Sequence, residues 1–292
     1  MAFTPGELLR KCAGDWRSML PGPSAGLMQL MYPPLGKAVM DHSDFVKDPM
    51  GRVNRSVPQI WATLLAADGR QRAKKIKDVH RYIEGKDNND KKYHALNPET
   101  FWWAHATFTW EMFRSYELFH LRQLSPSEKA QLYDDTVEWY RSYGMSMRPV
   151  PENLDRFYEQ FFDICLNTLE ITEAAQMTID LAKKGGSLNF SYDPRNWPQL
   201  GRKALDPGPL IFFGALPIQL RNRFKNILEL SSIDKLRLQN SLISLRILFG
   251  ALPQSVNKAT LVYTLKKIGN ETRSQRYIPK KTLNRQLDEV LH

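Results

Sequence analysis

His80 is placed where an imidazole can do chemistry. It lies in the stretch over residues 41–85, DHSDFVKDPMGRVNRSVPQIWATLLAADGRQRAKKIKDVHRYIEG. From 70 to 84 the pattern is helical: Ala73, Ile76, Val79, His80 and Ile83 recur at spacings of three and four and share one face. Arg72, Lys74, Lys75, Lys77, Asp78 and Arg81 take the solvent side. The spacing predicts an inward His80 among aliphatic side chains, on a helix that Gly85 stops as a C′ residue. Such an imidazole is either a buried histidine hydrogen-bonded to a neighbour, or a ligand of a metal or haem iron, which a neutral ring nitrogen and an apolar wall both suit.

Upstream, Arg52, Arg55 and Ser56 form an R-x-x-R-S cluster after the loop DFVKDPMG. A helix is expected to follow from about Val57, with Pro58 in its first turn, and Gly69 breaks the chain before the His80 helix. This order of motifs resembles the family that contains bacterial rubber oxygenases (latex-clearing proteins) and the fungal membrane-bound oxygenase of mycophenolic acid synthesis. Those proteins carry R-x-x-(K/R)-T, a helix, a glycine, then H-x-x-V-x-G. The matching residues here are Arg52, Arg55, Ser56, Gly69, His80 and Gly85, with Ile83 in the valine slot. The likeness runs on through Tyr93, NPETFWWAHAT, LSPSEK and YGM, and fades at ALPIQLR, residues 215–221. It is strongest over 30–225.

The resemblance implies an all-α protein, one large helical domain packed around a b-type haem, with His80 as the proximal iron ligand. It implies a haem-dependent oxygenase or oxidoreductase acting with dioxygen on an apolar small molecule such as a lipid, terpenoid or aromatic. The electron donor is not indicated. Arg52 and Arg55 become candidates to pair with haem propionates, since the planar guanidinium fork matches a carboxylate; the alternative is a structural or capping arginine. Some relatives have lysine at the Arg55 position, able to ligate the distal iron. Arginine stays protonated and cannot, so water, oxygen or nothing is expected there. Ser56 keeps the hydroxyl of the usual threonine. The segment LGKAVMDHSDF lies close to the haem in relatives and offers His42 and Asp41; Asp41 or Ser43 serves equally well to close a turn. Rubber oxygenases also use a glutamate upstream of the arginine as a base, and the corresponding region here reads PLGK. Cleavage of polyisoprene-type double bonds is therefore not implied.

The helix expected from Glu99 to His120, capped by Asn97 with Pro98 at N1, is the most apolar of the chain. Its apolar residues occupy several faces, so it should be central and buried. His105 within it is a satisfied core histidine, a distal pocket residue or a second ligand. Glu111 needs a partner if buried, and Arg114 stands at i+3. Ser125–Glu128 spells a capping box. Cys165 falls on an apolar stripe with Phe157, Phe161 and Ile164, the place of an inert core cysteine. Residues 6–20 read as one short amphipathic helix, 187–214 as an irregular connection, and 266–292 as a basic tail.

With 292 residues, no Gly/Ser or Pro-rich linker and no repeat, the chain is expected to be a single domain over 1–292. A net charge of +10 invites nucleic acid or an anionic membrane surface. No nucleic-acid motif accompanies it and the aromatics sit inside amphipathic helices, so no nucleic-acid partner is expected. Two cysteines outside any metal spacing suit a reducing compartment. The N-terminal run has no long apolar core, and no stretch of about 18 apolar residues occurs. A cytoplasmic location with peripheral membrane contact is the expectation. The alternative function is a non-enzymatic helical protein that binds haem or lipid and associates with anionic membranes.

Overall fold

The first constraint on the fold is the helix α6, Pro98–Phe119, in which 14 of 22 residues are buried. A helix apolar on every side has to be covered on every side. The structure, a computed structural model, describes residues 6–87, 90–183, 207–259 and 261–262. Its helices are α1 (Glu7–Ala13), α2 (Gly22–Leu30), α3 (Pro33–His42), α4 (Pro49–Leu65), α5 (Gly69–Val79), α6, α7 (Pro126–Ser142), α8 (Leu154–Asn167) and α9 (Glu173–Lys183). After 207 follow α10 (Gly208–Gly214), α11 (Ile218–Arg223), α12 (Lys225–Leu228) and α13 (Ser232–Ala251). The only strands among the described residues are β1 (Glu84–Lys86) and β2 (Lys92–His94), an antiparallel pair in which Gly85 faces Tyr93. The protein is all-α, as expected.

Local signals place several elements. The Asn97 side chain accepts from the Glu99 and Thr100 amides and starts α6. Ser125 and Glu128 form the reciprocal capping box of α7. α2 ends before Pro33-Pro34 and α3 begins on them, because proline fits a first turn but not an interior. Around α6, α2 packs along one side, α7 and α13 along others, and α1 covers α7. One continuous core joins residues from Leu8 to Leu261.

Aromatic rings fill the space between α6 and α8. Phe161 sits between Trp103 and Trp110, with both ring centroids 5.1 Å away. The buried indole N–H groups find acceptors: Trp61 donates to the Ala13 carbonyl, Trp103 to that of Met28, and Trp139 to the Thr63 hydroxyl. Cys12 and Cys165 are both free and buried. Burial pushes the Cys12 thiol up to about 12 and raises that of Cys165 as well.

Several boundaries differ from the expectations. α4 begins at Pro49, not near Val57, because Asp48 caps it by accepting from the Gly51 amide and Pro49 opens its first turn. Arg52, Arg55 and Ser56 therefore ride on the helix, and Pro58 lies inside it. Segment 6–20 is not one helix: α1 stops at Ala13, and a 3-10 turn, Trp16–Met19, follows under an Asp15 cap. α5 ends at Val79 with His80 as its C-cap, so Gly85 is not a helix stop. It is a strand residue whose Cβ would lie 2.6 Å from the Tyr93 hydroxyl oxygen. Of 187–214, residues 208–214 are helical; 187–206 and the basic tail 266–292 lie outside the described residues. No described helix is long and apolar enough to cross a membrane.

The link between α4 and α5 leaves no room for a side chain at Gly69. A Cβ there would stand 2.2 Å from the Thr63 carbonyl oxygen, a backbone atom that cannot rotate away. Gly69→Ala is expected to destabilise the protein by about 2 kcal/mol in urea unfolding. Gly26→Ala, where no heavy atom lies within 4 Å, should be neutral or stabilising by up to about 1 kcal/mol, as alanine is in a helix.

Candidate functional site

The end of α5 determines which nitrogen of His80 is available. Helix C-termini leave carbonyls without backbone donors, and the His80 ring folds back on one of them: Nδ1 lies 2.6 Å from the Ile76 oxygen. A carbonyl only accepts, so Nδ1 carries the proton and Nε2 keeps its lone pair. Nε2 has no hydrogen-bond partner among the described residues. The ring stands edge-on to Phe101, with centroids 6.1 Å apart. Burial lowers the imidazole pKa, the Ile76 bond opposes this, and the Arg52 charge lowers it further. His80 is thus a neutral imidazole with a free Nε2 at physiological pH, the state in which it binds metals.

His80 borders a cavity of about 620 Å³ between α3, α4, α5 and α6, within the range usual for small-molecule and cofactor sites. His42, Arg52, Arg55, Ser56 and His105 line the same cavity, so all six candidate side chains converge on it. Ile60, Ile76, Phe101, Ala104 and Phe108 supply apolar walls.

The two arginines are not equivalent. Arg55 is held by carboxylates, with Nη1 3.4 Å from Asp48 and Nη2 3.8 Å from Asp44. The guanidinium of Arg52 has no carboxylate or hydrogen-bond partner among the described residues. Burial and the nearby Arg55 charge both lower its pKa. A half-buried, unpaired cation beside a cavity calls for an anion. Ser56 donates to the Arg52 carbonyl at 3.0 Å, closing the helix turn on which both sit.

His105 is tied at one end. Its Nε2 donates to the Thr136 carbonyl at 2.8 Å, and the ring is caged by Trp102, Trp139 and Tyr140. His42 meets the Glu84 carbonyl at 3.0 Å through Nε2, fastening α3 to the hairpin. Ser43 caps the 3-10 turn Asp44–Val46, whereas Asp41 accepts from the Tyr93 hydroxyl at 2.7 Å. The pairing of Glu111 with Arg114 does not form. Arg114 turns to Glu117 and to the carbonyls of Gly214 and Ala215, leaving both Glu111 oxygens buried without a partner among the described residues.

The family described as ER-bound oxygenase mpaB/B'/Rubber oxygenase, catalytic domain, matches residues 10–232, more than half of the chain. The chain belongs to this oxygenase family. The match takes in α2 to α9 and every wall of the cavity. Among curated proteins and solved structures no match to the chain is found. The cavity is therefore the candidate active site of an oxygenase catalytic domain. Sequence periodicity places His80 but not the unequal surroundings of Arg52 and Arg55, nor the unpaired Glu111. The one advance signal for Glu111 is a carboxylate in a helix with no polar face.

Two pH dependences follow from this geometry. Burial takes His105 down to about 4 in the fold from an ordinary value of 6.5. The unfolded chain therefore binds a proton first, and stability is lost as pH falls from 6.5 towards 4, by up to about 3 kcal/mol. His105→Gln should be less stable at pH 7.5 but flatter across that window in urea titrations. Burial raises the Glu111 carboxyl well above its ordinary 4.5, so its contribution has the opposite sense: present below 4.5 and lost as pH rises. Glu111→Gln should gain on the natural protein by about 1.4 kcal/mol per pH unit above 4.5.

Proposed function

We propose that the chain is a haem b-dependent oxygenase of an apolar small molecule, with His80 as the proximal iron ligand. One observation carries the reading: the free Nε2 of His80 and the unpaired guanidinium of Arg52 line a single cavity of about 620 Å³. The residues present fit haem b in their chemistry. A neutral imidazole suits the iron, apolar walls suit the macrocycle, and a half-buried cation suits a propionate. Among the described residues no three His, Cys, Asp or Glu side chains gather as they would around a bare ion. This favours a metal that brings ligands of its own.

Haem, when bound, supplies an iron centre at which dioxygen is activated. The chain's own groups do the rest. The Ile76 carbonyl holds the His80 ring in one tautomer and orientation. Arg52 would hold a propionate carboxylate. Arg55, paired with Asp44 and Asp48, would offer the iron no lone pair. Ile60, Phe101 and Phe108 keep bulk water away from the reacting carbon. The substrate class these walls favour is a lipid, terpenoid or aromatic. Exposed Ile243, Ile247 and Leu248 on α13 favour its delivery from a lipid surface.

The test is optical. The purified protein should show a Soret band that shifts on addition of dithionite and is absent in His80→Ala. Arg52→Met should weaken haem binding about tenfold, the loss of one charge-assisted contact, while Arg55→Met should change it less than about twofold. A Soret band that survives His80→Ala, or a preparation free of haem, rules the reading out.

A further inference from the structure

A second, smaller cavity of about 120 Å³ lies beside the first, bounded by α2, α4 and α6. The two share Gln29, Leu35, Val39, Arg52, Ser56, Ile60 and Phe108 as walls. The smaller cavity is lined chiefly by apolar groups, among them Leu27, Val57 and Trp61. Glu111 also lines it. This residue is 1 % exposed, and neither carboxyl oxygen has a hydrogen-bond partner among the described residues.

The space around that carboxyl is specific. Gly22 sits directly against it: a Cβ on Gly22 would be 2.9 Å from Glu111 Oε1. The absent side chain at Gly22 gives the carboxyl its room. The nearest basic side chain along α6, Arg114, is engaged elsewhere, with Glu117 and two backbone carbonyls. A buried polar group without a partner is destabilising. It persists where something outside the fold completes it. Arg52 also lines this cavity, yet burial alone governs the Glu111 carboxyl and raises its pKa well above the ordinary value, so it keeps its proton and presents an O–H donor and a carbonyl acceptor rather than a charge.

We infer that the small cavity receives the oxygen-bearing end of an otherwise apolar substrate, a ketone, aldehyde or alcohol, held by a hydrogen bond from the Glu111 carboxyl. The inference rests on the oxygenase reading and adds the substrate class to it. The remainder of the molecule would extend past Ile60 and Phe108 into the larger cavity, so that a carbon some distance from the oxygen faces the reaction site. A hydrocarbon without an oxygen would leave the carboxyl unsatisfied, and the same hydrogen bond would then discriminate against it.

The probes are 2-octanone and 1-chlorooctane, similar in length and differing in hydrogen-bond acceptance. Their affinities for the full chain are read by quenching of tryptophan fluorescence, since Trp61 lines the cavity. The quantity compared is the ratio of the two Kd values. Glu111→Met, which removes the donor, should shift that ratio about tenfold against the ketone. Glu111→Gln, which still donates, should hold it within about twofold. An unchanged ratio in Glu111→Met overturns the proposal, as does an equal shift in both variants. A second readout needs no variant: the C=O stretch of bound 2-octanone should lie at lower frequency than in alkane, and an unshifted band also overturns it. Neither measurement needs turnover or haem. A ketone preference that survives in a colourless protein would sink the haem reading alone. A Soret band without that preference would sink only this one.

Discussion

A helix with no polar face cannot lie on a surface, and α6 is such a helix. Its tryptophans and phenylalanines must be covered all round, so the other helices are arranged as its wrapping. Where rings from α6 meet rings from α8, contacts close to van der Waals packing leave no space. Where α6 faces α3, α4 and α5, the wrapping stands off and the large cavity opens. The site is therefore a gap in the cover of one helix. Its floor is Phe101, Ala104, His105 and Phe108, and its other histidines and both arginines come from the elements that stand off.

The polar groups are prepared by short-range bonds to backbone. His80 is oriented by a carbonyl four residues before it, Ser56 by one four residues before it, and His105 by a carbonyl of the neighbouring helix α7. These acceptors are backbone oxygens whose positions follow from helix geometry, so the side chains are held without relying on other mobile side chains. Arg52 and Glu111 are the exceptions. Glu111 is buried and Arg52 half-buried, each lacks a protein partner among the described residues, and each borders the small cavity. One presents a positive charge and the other a neutral carboxyl, so the two unfilled bonding positions ask for different chemical groups.

Much of this was legible in the chain. The period of three and four residues places Ala73 in the core and His80 at the cavity but fails for Val79, which is exposed, and Asn97-Pro98 and Ser125–Glu128 mark two helix starts that the structure reproduces. The apolar character of residues 99–120 announced a central helix. The start of α4 was misread because Pro58 looks like a first-turn proline, whereas Asp48-Pro49 provides the actual cap and first turn. The end of α5 was misplaced because Ile83 continues the apolar period after the backbone has left the helix for the hairpin. The difference between Arg52 and Arg55 depends on a 3-10 turn that brings Asp44 back towards Arg55, a contact no local pattern encodes. The solitude of Glu111 is of the same kind: Arg114 is at the right spacing but is drawn away by carbonyls of α10.

The two cysteines have a further meaning for anyone handling the protein. Both thiols are sealed in the core, and burial keeps both in the unreactive protonated form. Reagents that modify sulfur meet nothing while the packing around Leu8 and Phe161 is intact. Their rate of uptake is then a clock for the opening of the helical core, carried by the chain itself and slowed by any ligand that holds the fold closed.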